Sequence, residues 1–251
     1  MDTGPLVSII TVCYNSQATI ESTLKSVAEQ DYPRIEHIIV DGRSSDNTLV
    51  IINKYPHVVK IISERDKGIY DAMNKGLLMA TGEIIGILNS DDFYISPDVI
   101  SQVVQTMQSE NADALYADLV YVASDDINKK LRRWTSGPFN RNKFLFGWMP
   151  PHPTFFVKRT WYERAGNFNM ELKSAADYEL MLRFLYKHEI TTAYLPKVIV
   201  KMRAGGNSNA SIRNRMKANR EDRKAWQLNN LKPYFFTTWL KPLRKLPQFV
   251  R

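Results

Sequence analysis

The first hundred residues alternate between short runs of aliphatic, often β-branched residues and segments in which apolar residues have helical spacing. In the first of these segments Ile20, Leu24 and Val27 stand at positions i, i+4 and i+7, which places them on one helix face. A regular succession of strands and helices is typical of βαβ units, whose parallel strands are joined by right-handed crossovers. The strands are predicted at 7–12, 36–40, 58–63 and 83–88. The pattern therefore predicts an α/β fold with an open, mostly parallel, twisted sheet and helices on both faces.

The second half of the chain has a less regular pattern. Its helices are predicted at 97–107, 175–188 and 211–231, and its strands at 114–123, 130–134, 154–157 and 198–202. We interpret 130–134 as an antiparallel partner of the run before it, and the final segment, 233–251, as an amphipathic tail. A main domain ending near residue 205 and a helical C-terminal extension, 206–251, are therefore expected.

Positive charge is concentrated at the C-terminal end. Of the 251 residues, 44% are hydrophobic, which is enough apolar material for a substantial core. The formal net charge is +8, but residues 203–251 hold 12 of the 34 Lys and Arg and only 2 of the 26 Asp and Glu. The rest of the chain is slightly acidic. Because a basic surface attracts any polyanion, DNA, RNA and anionic lipid are all partners that this charge allows.

The C-terminal tail mixes aromatic and basic side chains. Tyr234, Phe235, Phe236 and Trp239 stand close to Lys241. This mixture is typical of a helix that lies in a lipid interface, with its aromatic rings inserted and its cations on the headgroups. We therefore predict that the tail binds an anionic membrane surface, with a helix that packs its aromatic residues on the main domain as the alternative. Nucleic acid is not predicted as a partner, because no RNA-binding motif accompanies the charge.

Cysteine content and the length of the apolar runs limit the class of protein. Cys13 is the single cysteine, which excludes an internal disulfide and a cysteine-based zinc site. No apolar run approaches the roughly 20 residues of a membrane-spanning helix, and the first residues lack the basic and apolar regions of a signal peptide. The expected location is the cytoplasm, with peripheral attachment to the cytoplasmic face of the membrane.

Polar residues follow each predicted strand of the first half, at the sheet edge where open α/β folds bind ligands. They are Tyr14 and Asn15 after the first strand, Asp41 after the second, residues 64–68 after the third and residues 89–92 after the fourth. Asp91 and Asp92 are adjacent carboxylates, which repel each other unless a cation lies between them. A divalent cation, Mn²⁺ or Mg²⁺, with oxygen ligands would resolve this repulsion. The chain has neither a G-x-G-x-x-G nor a P-loop sequence, so we expect this metal to hold the phosphates.

Four segments occur in the order and spacing of a known enzyme family. They are 7–15 (VSIITVCYN), 39–48 (IVDGRSSDNT), 66–76 (DKGIYDAMNKG) and 88–92 (LNSDD). With these segments the chain resembles the family 2 glycosyltransferases with the GT-A fold, and most of all the small bacterial members that build surface polysaccharides. The resemblance covers roughly residues 5–205. It implies a Rossmann-like catalytic domain over 1–205, with a nucleotide-sugar-binding half, 1–110, and an acceptor-side half, 111–205, that contains a small antiparallel subdomain.

The resemblance also implies a role for each matching residue. Asp92 is expected on the metal, and Asp177 is expected to be the catalytic base at the start of a helix. His152 and Arg203 are candidates for contact with the diphosphate or the acceptor. The donor nucleotide-sugar is expected to contact Thr11, Tyr14, Asn15, Asp41, Asp66, Lys67, Asn74, Asn89 and Asp91.

The chemistry of sugar transfer independently requires a base. In an inverting transfer a hydroxyl attacks the anomeric carbon from the face opposite the leaving nucleotide, and it is a poor nucleophile until a carboxylate takes its proton. The family's usual Glu-Asp pair is Ala176-Asp177 here, so the prediction rests on one carboxylate. A helix cap is the alternative role for Asp177. Glu179 is a rival base, but we expect it to point away because it lies two residues further along the helix.

Together these observations predict an inverting glycosyltransferase. It is expected to move one sugar from a nucleotide diphosphate donor, a UDP-sugar, to a hydroxyl of a lipid-linked glycan in bacterial polysaccharide biosynthesis. No Gln-x-x-Arg-Trp motif follows Asp177, so a single addition is expected rather than processive synthesis. Two alternatives stay open: a sugar nucleotidyltransferase, and a non-catalytic sugar-binding or membrane-adaptor protein on the same scaffold. The presence of Asp41, Asp91, Asp92 and Asp177 together argues against the second.

Overall fold

A mixed sheet forms the centre of the molecule, and helices pack on both of its faces. The computed structural model describes residues 4–205, 212–244 and 248. The predicted first residue of the last long helix, 211, and the tail positions 245–247 and 249–251 lie outside the described residues. The α/β architecture that the sequence pattern predicts is confirmed.

The strands are β1 (Val7–Cys13), β2 (Ile35–Asp41), β3 (Val58–Ser63), β4 (Ile84–Ile87), β5 (Asp92–Tyr94), β6 (Ala114–Val122), β7 (Lys130–Trp134), β8 (Phe156–Lys158) and β9 (Thr192–Arg203). Within the described residues they form one nine-stranded sheet in the order β3-β2-β1-β4-β8-β6-β9-β5, with β7 paired to β6. The pairs β1–β2, β1–β4 and β2–β3 are parallel. β8, β7 and β5 pair antiparallel with their neighbours, so the second half of the chain forms the mixed part of the sheet.

The helices are α1 (Ile20–Ala28), α2 (Thr48–Ile52), α3 (Ile69–Met79), α4 (Val99–Ser109), α5 (Arg159–Ala165), α6 (Ala176–Met181), α7 (Ile212–Leu228) and α8 (Thr237–Leu243). α6 continues as a π-helical segment, Leu182–Lys187, and short 3-10 turns lie at Arg141–Phe146 and His152–Thr154. The helices predicted at 97–107 and 175–188 are therefore confirmed. In the part of the chain that the structure describes, no helix combines the length and the apolar character needed to cross a membrane.

Two large apolar cores lie on opposite faces of the sheet. All seven residues of β1 are buried, and they alternate between the two cores as the two-residue period of a strand requires. Ile10 and Val12 belong to the core that α3 and α6 cover, whereas Val7 and Ile9 belong to the core that α4 covers. A strand buried on both faces explains why the first segment of the sequence is almost continuously apolar.

The pattern did not predict β5, α5 or the full length of β9. β5 is only three residues long and is paired at the sheet edge with the end of β9, where Asp92 lies opposite Met202. β9 begins at Thr192 rather than at the predicted residue 198, because residues 192–195 already pair with β6. The register of this pairing shifts between Leu195 and Val198. Pro196 lies at this irregularity. A proline has no N–H to donate, and none is needed at a position that is not paired with β6.

Helix α7 packs into the main core although it is rich in Arg and Lys. From residue 218 on, where burial is described, the buried residues are Asp222, Ala225 and Trp226 of the helix and Asn229 just after its end, which have the i, i+3, i+4, i+7 spacing of one helix face. Trp226 is fully buried and belongs to the same core cluster as residues of α3 and α6. The C-terminal extension is thus continuous with the core of the main domain.

A pair of histidines lies where β2 meets the turn before β3. His37 of β2 is fully buried, its Nε2 lies 3.0 Å from the Thr11 hydroxyl, and its Nδ1 lies 3.0 Å from His57 Nε2. Burial, with a smaller contribution from His57, lowers the pKa of His37 to about 3. His37 is therefore neutral in the folded protein at every pH at which the protein would normally be handled.

This burial makes the free energy of unfolding depend on pH. Below about pH 6.5 the unfolded chain takes up a proton at His37 that the folded protein excludes, so stability falls as pH falls from 6.5 toward 3. Between pH 7.5 and 5.5 we expect a loss of about 1.4 kcal/mol from this group, measured by urea denaturation. The variant His37→Gln should lose that part of the pH dependence, whereas His188→Gln, at an exposed position, should keep it. An identical pH slope in wild type and His37→Gln would contradict the assignment.

Candidate active site

The register of the three edge strands places Asp41 among hydrogen-bond donors. Cys13, Asp41 and Ser63 are paired residues at the ends of β1, β2 and β3. The Asp41 carboxylate accepts a hydrogen bond of 2.6 Å from the Ser63 hydroxyl, one of 3.0 Å from the Ser44 amide and a further bond from the Ser44 hydroxyl. The thiol of Cys13 lies 3.6 Å from the same carboxylate. Asp41 is fully buried, so it fixes the loop after β2 at the sheet edge.

Tyr14, Asn15 and Asp66 surround this loop. Asn15 has a positive φ of 49°, and its side-chain oxygen accepts a hydrogen bond of 2.9 Å from the Ser45 amide. Gly42 allows the loops to approach, because a Cβ there would lie 2.9 Å from Asp66 Oδ2 and 3.4 Å from Tyr14. Tyr14 is 65% exposed, so its ring is accessible from solvent at this edge of the sheet.

Three other residues that were expected to contact the donor nucleotide-sugar have different surroundings. Thr11 is fully buried, and its hydroxyl pairs with His37 inside the sheet. The Asn74 amide group forms hydrogen bonds of 2.9 Å with both backbone groups of Phe168, so it holds the loop around that residue. Lys67 is exposed on the loop before α3. The structure thus brings neither the Thr11 nor the Asn74 side chain to the open edge of the sheet.

Asp91 and Asp92 form the turn that leads into β5. Asp92 is fully buried, and its Oδ2 accepts a weak hydrogen bond of 3.3 Å from Asn89 Nδ2. Its Oδ1 and the Oδ1 of Asn89 are buried without a hydrogen-bond partner. A hydrogen bond of 2.9 Å between the Ser16 and Ser90 hydroxyls ties this turn to the loop after β1.

Electrostatics make the Asp91–Asp92 pair unfavourable in the ligand-free protein. Burial raises the pKa of Asp92 well above its ordinary value, and the neighbouring charge of Asp91 raises it further. Burial also raises the pKa of Asp91. The Arg203 charge opposes these shifts only in part, so a cation close to the two carboxylates would further stabilise their charged forms.

Arg203, the last residue of β9, reaches this turn from the other side. Its guanidinium donates a hydrogen bond of 2.8 Å to the Asp91 carbonyl and one of 3.0 Å to the Ser22 hydroxyl. The guanidinium also lies 5.0 Å from the centre of the Phe93 ring. The Arg203 charge thus lies beside both carboxylates but bonds to backbone and to a hydroxyl. In this position it braces the turn and adds positive charge to the site.

His152 links the Asp91–Asp92 turn to the predicted base. Its Nε2 lies 3.1 Å from Asn89 Nδ2, and its Nδ1 lies 3.6 Å from Asp177 Oδ2. Because an amide nitrogen can only donate, Nε2 accepts and the ring proton is on Nδ1, facing Asp177. Burial lowers the pKa of His152, although the charges of Asp177 and Asp91 oppose the shift. The imidazole is therefore neutral at neutral pH.

Asp177 is held from both sides in the first turn of α6. The Tyr70 hydroxyl donates a hydrogen bond of 3.1 Å to Asp177 Oδ1. Burial, together with the charge of Asp177, raises the pKa of Tyr70. The Tyr70 ring stacks on Phe168 at 5.6 Å, which is the residue that Asn74 fixes. Behind His152 and Asp177 lies an apolar cavity lined by Met73, Ile87, Phe155, Tyr162, Phe168, Leu180 and Met181.

The two alternatives for this helix can now be decided. α6 begins at Ala176, after Ala175, so the role of Asp177 as the residue that caps the helix is wrong. Glu179 points away from the cleft as expected, since it is buried and makes a two-pronged ion pair with Arg183 at 3.0 and 2.9 Å. Glu179 therefore stabilises the helix rather than competing with Asp177.

The residues present suit a hard cation. In the described part of the chain, no three His, Cys, Asp or Glu side chains cluster as a complete metal site. The unpartnered oxygens of Asp92 and Asn89 are nevertheless the donor type that Mg²⁺ and Mn²⁺ prefer. A cation here would need further oxygen ligands from outside the protein, such as those of a diphosphate.

Comparison with known proteins assigns the chain to a family. The family model described as Glycosyl transferase family 2 matches residues 8–167, well over half of the chain. The chain belongs to this family. The resemblance drawn from the four sequence segments is thereby confirmed. A curated relative, the PGL/p-HBAD biosynthesis glycosyltransferase of Mycobacterium bovis, is 29% identical over 215 residues, which are 83% of this chain and 81% of the relative.

Solved structures confirm the GT-A fold of this family 2 glycosyltransferase. A complex of S. aureus TarS with UDP-GlcNAc has a TM-score of 0.70 at 20% identity, and the match covers 89% of this chain and 65% of the TarS chain. The mannosyltransferase PcManGT from Pyrobaculum calidifontis, in complex with GDP-Man and Mn²⁺, has a TM-score of 0.68 at 21% identity, covering 96% of this chain and 73% of that one. The chain therefore spans about two thirds to three quarters of these structures.

The side-chain contacts of Tyr70, Ser16 and Ser90 were not predicted from the sequence. Tyr70 lies within the segment 66–76, so the family resemblance marked its neighbourhood but not its bond to Asp177. The hydroxyl pair of Ser16 and Ser90 joins residues 74 positions apart. No local pattern in a single sequence encodes such a contact.

The single cysteine offers a test of the edge geometry. Burial, with the nearby Asp41 charge, raises the pKa of Cys13, and the thiolate is the reactive form. At about pH 8 we expect the folded protein to react with a chromogenic disulfide reagent more than about tenfold more slowly than the unfolded chain. Asp41→Asn should react faster than wild type, and Asp125→Asn, at an exposed position, should not. Equal rates for folded and unfolded wild type would contradict the buried position.

Proposed function

We propose that this family 2 protein is a metal-dependent, inverting glycosyltransferase that moves one sugar from a nucleotide diphosphate donor to an acceptor hydroxyl. The observation that carries the proposal is the arrangement around His152. Unpartnered oxygens of Asp92 and Asn89 lie on one side of this residue, and the Asp177 carboxylate lies on the other. Inverting transfer needs two such groups, one at the leaving diphosphate and one at the incoming hydroxyl.

The donor is proposed to lie along the edge formed by the ends of β1 to β4. Tyr14, Asn15 and Asp66 surround the loop that Asp41 fixes, and this supports a base and ribose site there. The donor is proposed to be a UDP-sugar, since the TarS structure holds UDP-GlcNAc. GDP-Man is the donor to test beside it, because the PcManGT structure holds that nucleotide-sugar.

A divalent cation is proposed to bind at Asp92, with Asn89 and Asp91 beside it. The unpartnered buried oxygens support this site, as does the Mn²⁺ in the PcManGT complex. When bound, the cation would neutralise the negative charge that develops on the leaving diphosphate. Arg203 adds positive charge next to the same carboxylates.

Asp177 is proposed to take the proton of the attacking hydroxyl. Tyr70 donates to its Oδ1, which fixes the orientation of the carboxylate. The neutral His152 ring separates Asp177 from the Asp91–Asp92 turn and turns its Nδ1–H toward Oδ2. The cavity behind both residues places apolar and aromatic side chains, rather than further charged groups, on that side of the carboxylate.

The acceptor is proposed to be a glycan at an anionic membrane surface, where a lipid-linked acceptor would be presented. An exposed aromatic patch supports this proposal; it consists of Phe146, Tyr234, Phe235 and Trp239, which are 45%, 50%, 79% and 67% exposed. Phe235 lies in the turn just before α8, and Trp239 lies in the first turn of that helix. Tyr234, Phe235 and Trp239 belong to the basic C-terminal part of the chain.

Two substitutions should separate donor binding from chemistry. The assay measures release of nucleoside diphosphate from UDP-GlcNAc and GDP-Man, with Mn²⁺ and a mixture of glycan acceptors. Asp92→Asn should abolish metal-dependent stabilisation of the protein by UDP or GDP as well as turnover, because it removes the charge at the cation site. Asp177→Asn should lower transfer by at least about 100-fold while nucleotide binding is kept, because only the base is lost.

The matched control is Asp125→Asn, which removes a carboxylate at an exposed position and should leave both measurements unchanged. Near-normal transfer by Asp177→Asn would remove the base assignment. Binding of UDP that does not respond to metal would remove the cation from the proposal.

Membrane attachment should depend on the aromatic patch. The double variant Phe235→Ser/Trp239→Ser should lower binding to vesicles of phosphatidylglycerol and phosphatidylcholine by at least about tenfold, because aromatic rings at an interface contribute a large share of the affinity. Sedimentation with vesicles measures this effect. The control Leu78→Ser removes an apolar side chain that is 81% exposed on α3 and should bind as wild type does. Equal binding of both variants would exclude the patch as the membrane contact.

A further inference from the structure

Helix α7 contacts the chain immediately before and after Asp177. Glu221 Oε2 accepts hydrogen bonds from the Lys173 amide at 3.0 Å, the Ser174 amide at 2.7 Å and the Ser174 hydroxyl at 2.8 Å. These groups directly precede α6. Ala175, the residue before the helix, has no side chain that could cap it. The carboxylate of Glu221 therefore holds the entry of a helix that lacks a cap of its own.

The same helix also holds the residues that follow Asp177. Trp226 Nε1 donates 2.8 Å to the Tyr178 hydroxyl, and both side chains are buried. Asn229 Nδ2 donates 2.8 Å to Glu179 Oε1, which completes the set of donors on that buried carboxylate. α8 adds a contact, because Lys241 lies 3.9 Å from the centre of the Tyr178 ring.

We propose that Glu221, Trp226 and Asn229 are positioning residues for Asp177, so that the C-terminal extension is part of the catalytic machinery. The inference rests on the proposed function of Asp177 as the base. Four residues around it, 173, 174, 178 and 179, are tied to α7, whereas Asp177 itself turns away from α7 toward Tyr70 and His152. A small displacement of a reacting group can cost about 100-fold in rate, so such a brace affects the chemical step.

The chain offers a matched pair of variants. Glu221→Ala removes the three hydrogen bonds to residues 173 and 174. Glu171→Ala removes a surface ion pair of 2.8 Å with Lys224, which joins α7 to the same loop without touching the backbone next to α6. Both substitutions delete one carboxylate from the same contact region, but only the first releases the entry of the helix.

The kinetic test compares these variants in full-length protein. Glu221→Ala should lower kcat by at least about tenfold with an unchanged KM for the donor, since the nucleotide site lies on other loops. Glu171→Ala should behave as wild type. In the Asp177→Asn background, Glu221→Ala should have no further effect, because it acts through Asp177. Trp226→Phe and Tyr178→Phe, which remove the same hydrogen bond, should each lower kcat, and the double variant should lower it no further.

Two outcomes of the kinetic test overturn the inference. One is an unchanged kcat in Glu221→Ala, with thermal melting showing that the variant is folded. The other is an equal loss of activity from Glu221→Ala in the wild-type and Asp177→Asn backgrounds, which would place the action of Glu221 elsewhere.

Amide hydrogen exchange gives a readout that does not depend on activity. Glu221→Ala should exchange faster than Glu171→Ala across residues 176–181, which lie beyond the two amides that lose their acceptor. Equal exchange in that segment overturns the inference. If wild type transfers no sugar from either donor, the proposed function fails, and the exchange result still decides whether α7 holds the helix.

Discussion

A buried carboxylate that lacks enough hydrogen-bond donors is the constraint around which the cleft of this protein is organised. Asp41 and Asp92 both lie at the end of the sheet and are both fully buried, yet only Asp41 is satisfied, because the register of three parallel strands surrounds it with Ser44, Ser63 and Cys13. Asp92 has one weak bond and one unpartnered oxygen. One carboxylate thus fixes a loop through its hydrogen bonds, whereas the other keeps a buried oxygen without a partner.

The contrast also explains why His152 is neutral and rigid. His152 accepts a hydrogen bond from Asn89 on one side and faces Asp177 on the other. The neutral ring therefore separates Asp177 from the Asp91–Asp92 turn without carrying a charge itself. A protonated imidazole would be attracted by the charges of Asp177 and Asp91 on either side. The apolar wall behind the ring keeps it in the neutral form.

The sequence predicted the parallel half of the sheet well, because the spacing of apolar residues in β1 to β4 directly reflects burial on both faces. The order of the motifs also placed Asp91, Asp92 and Asp177 in one predicted site.

The sequence did not predict β5 or the early part of β9, since three residues are too few to show a period and Pro196 interrupts the apolar run. The sequence predicted α7 as a helix but did not predict its packing, in which Asp222, Ala225, Trp226 and Asn229 are buried. Contacts such as Glu221 with Ser174 are far apart along the chain and leave no local signature.

The bond between Trp226 and Tyr178 has a consequence for protein engineering. The two side chains are fully packed and come from segments that a motif-based boundary near residue 205 would separate. A chimaera that exchanges the C-terminal segment between relatives while keeping the recipient's α6 would join mismatched halves of one interface. A chimaera should therefore exchange α6, α7 and α8 together, so that both sides of this interface come from one parent.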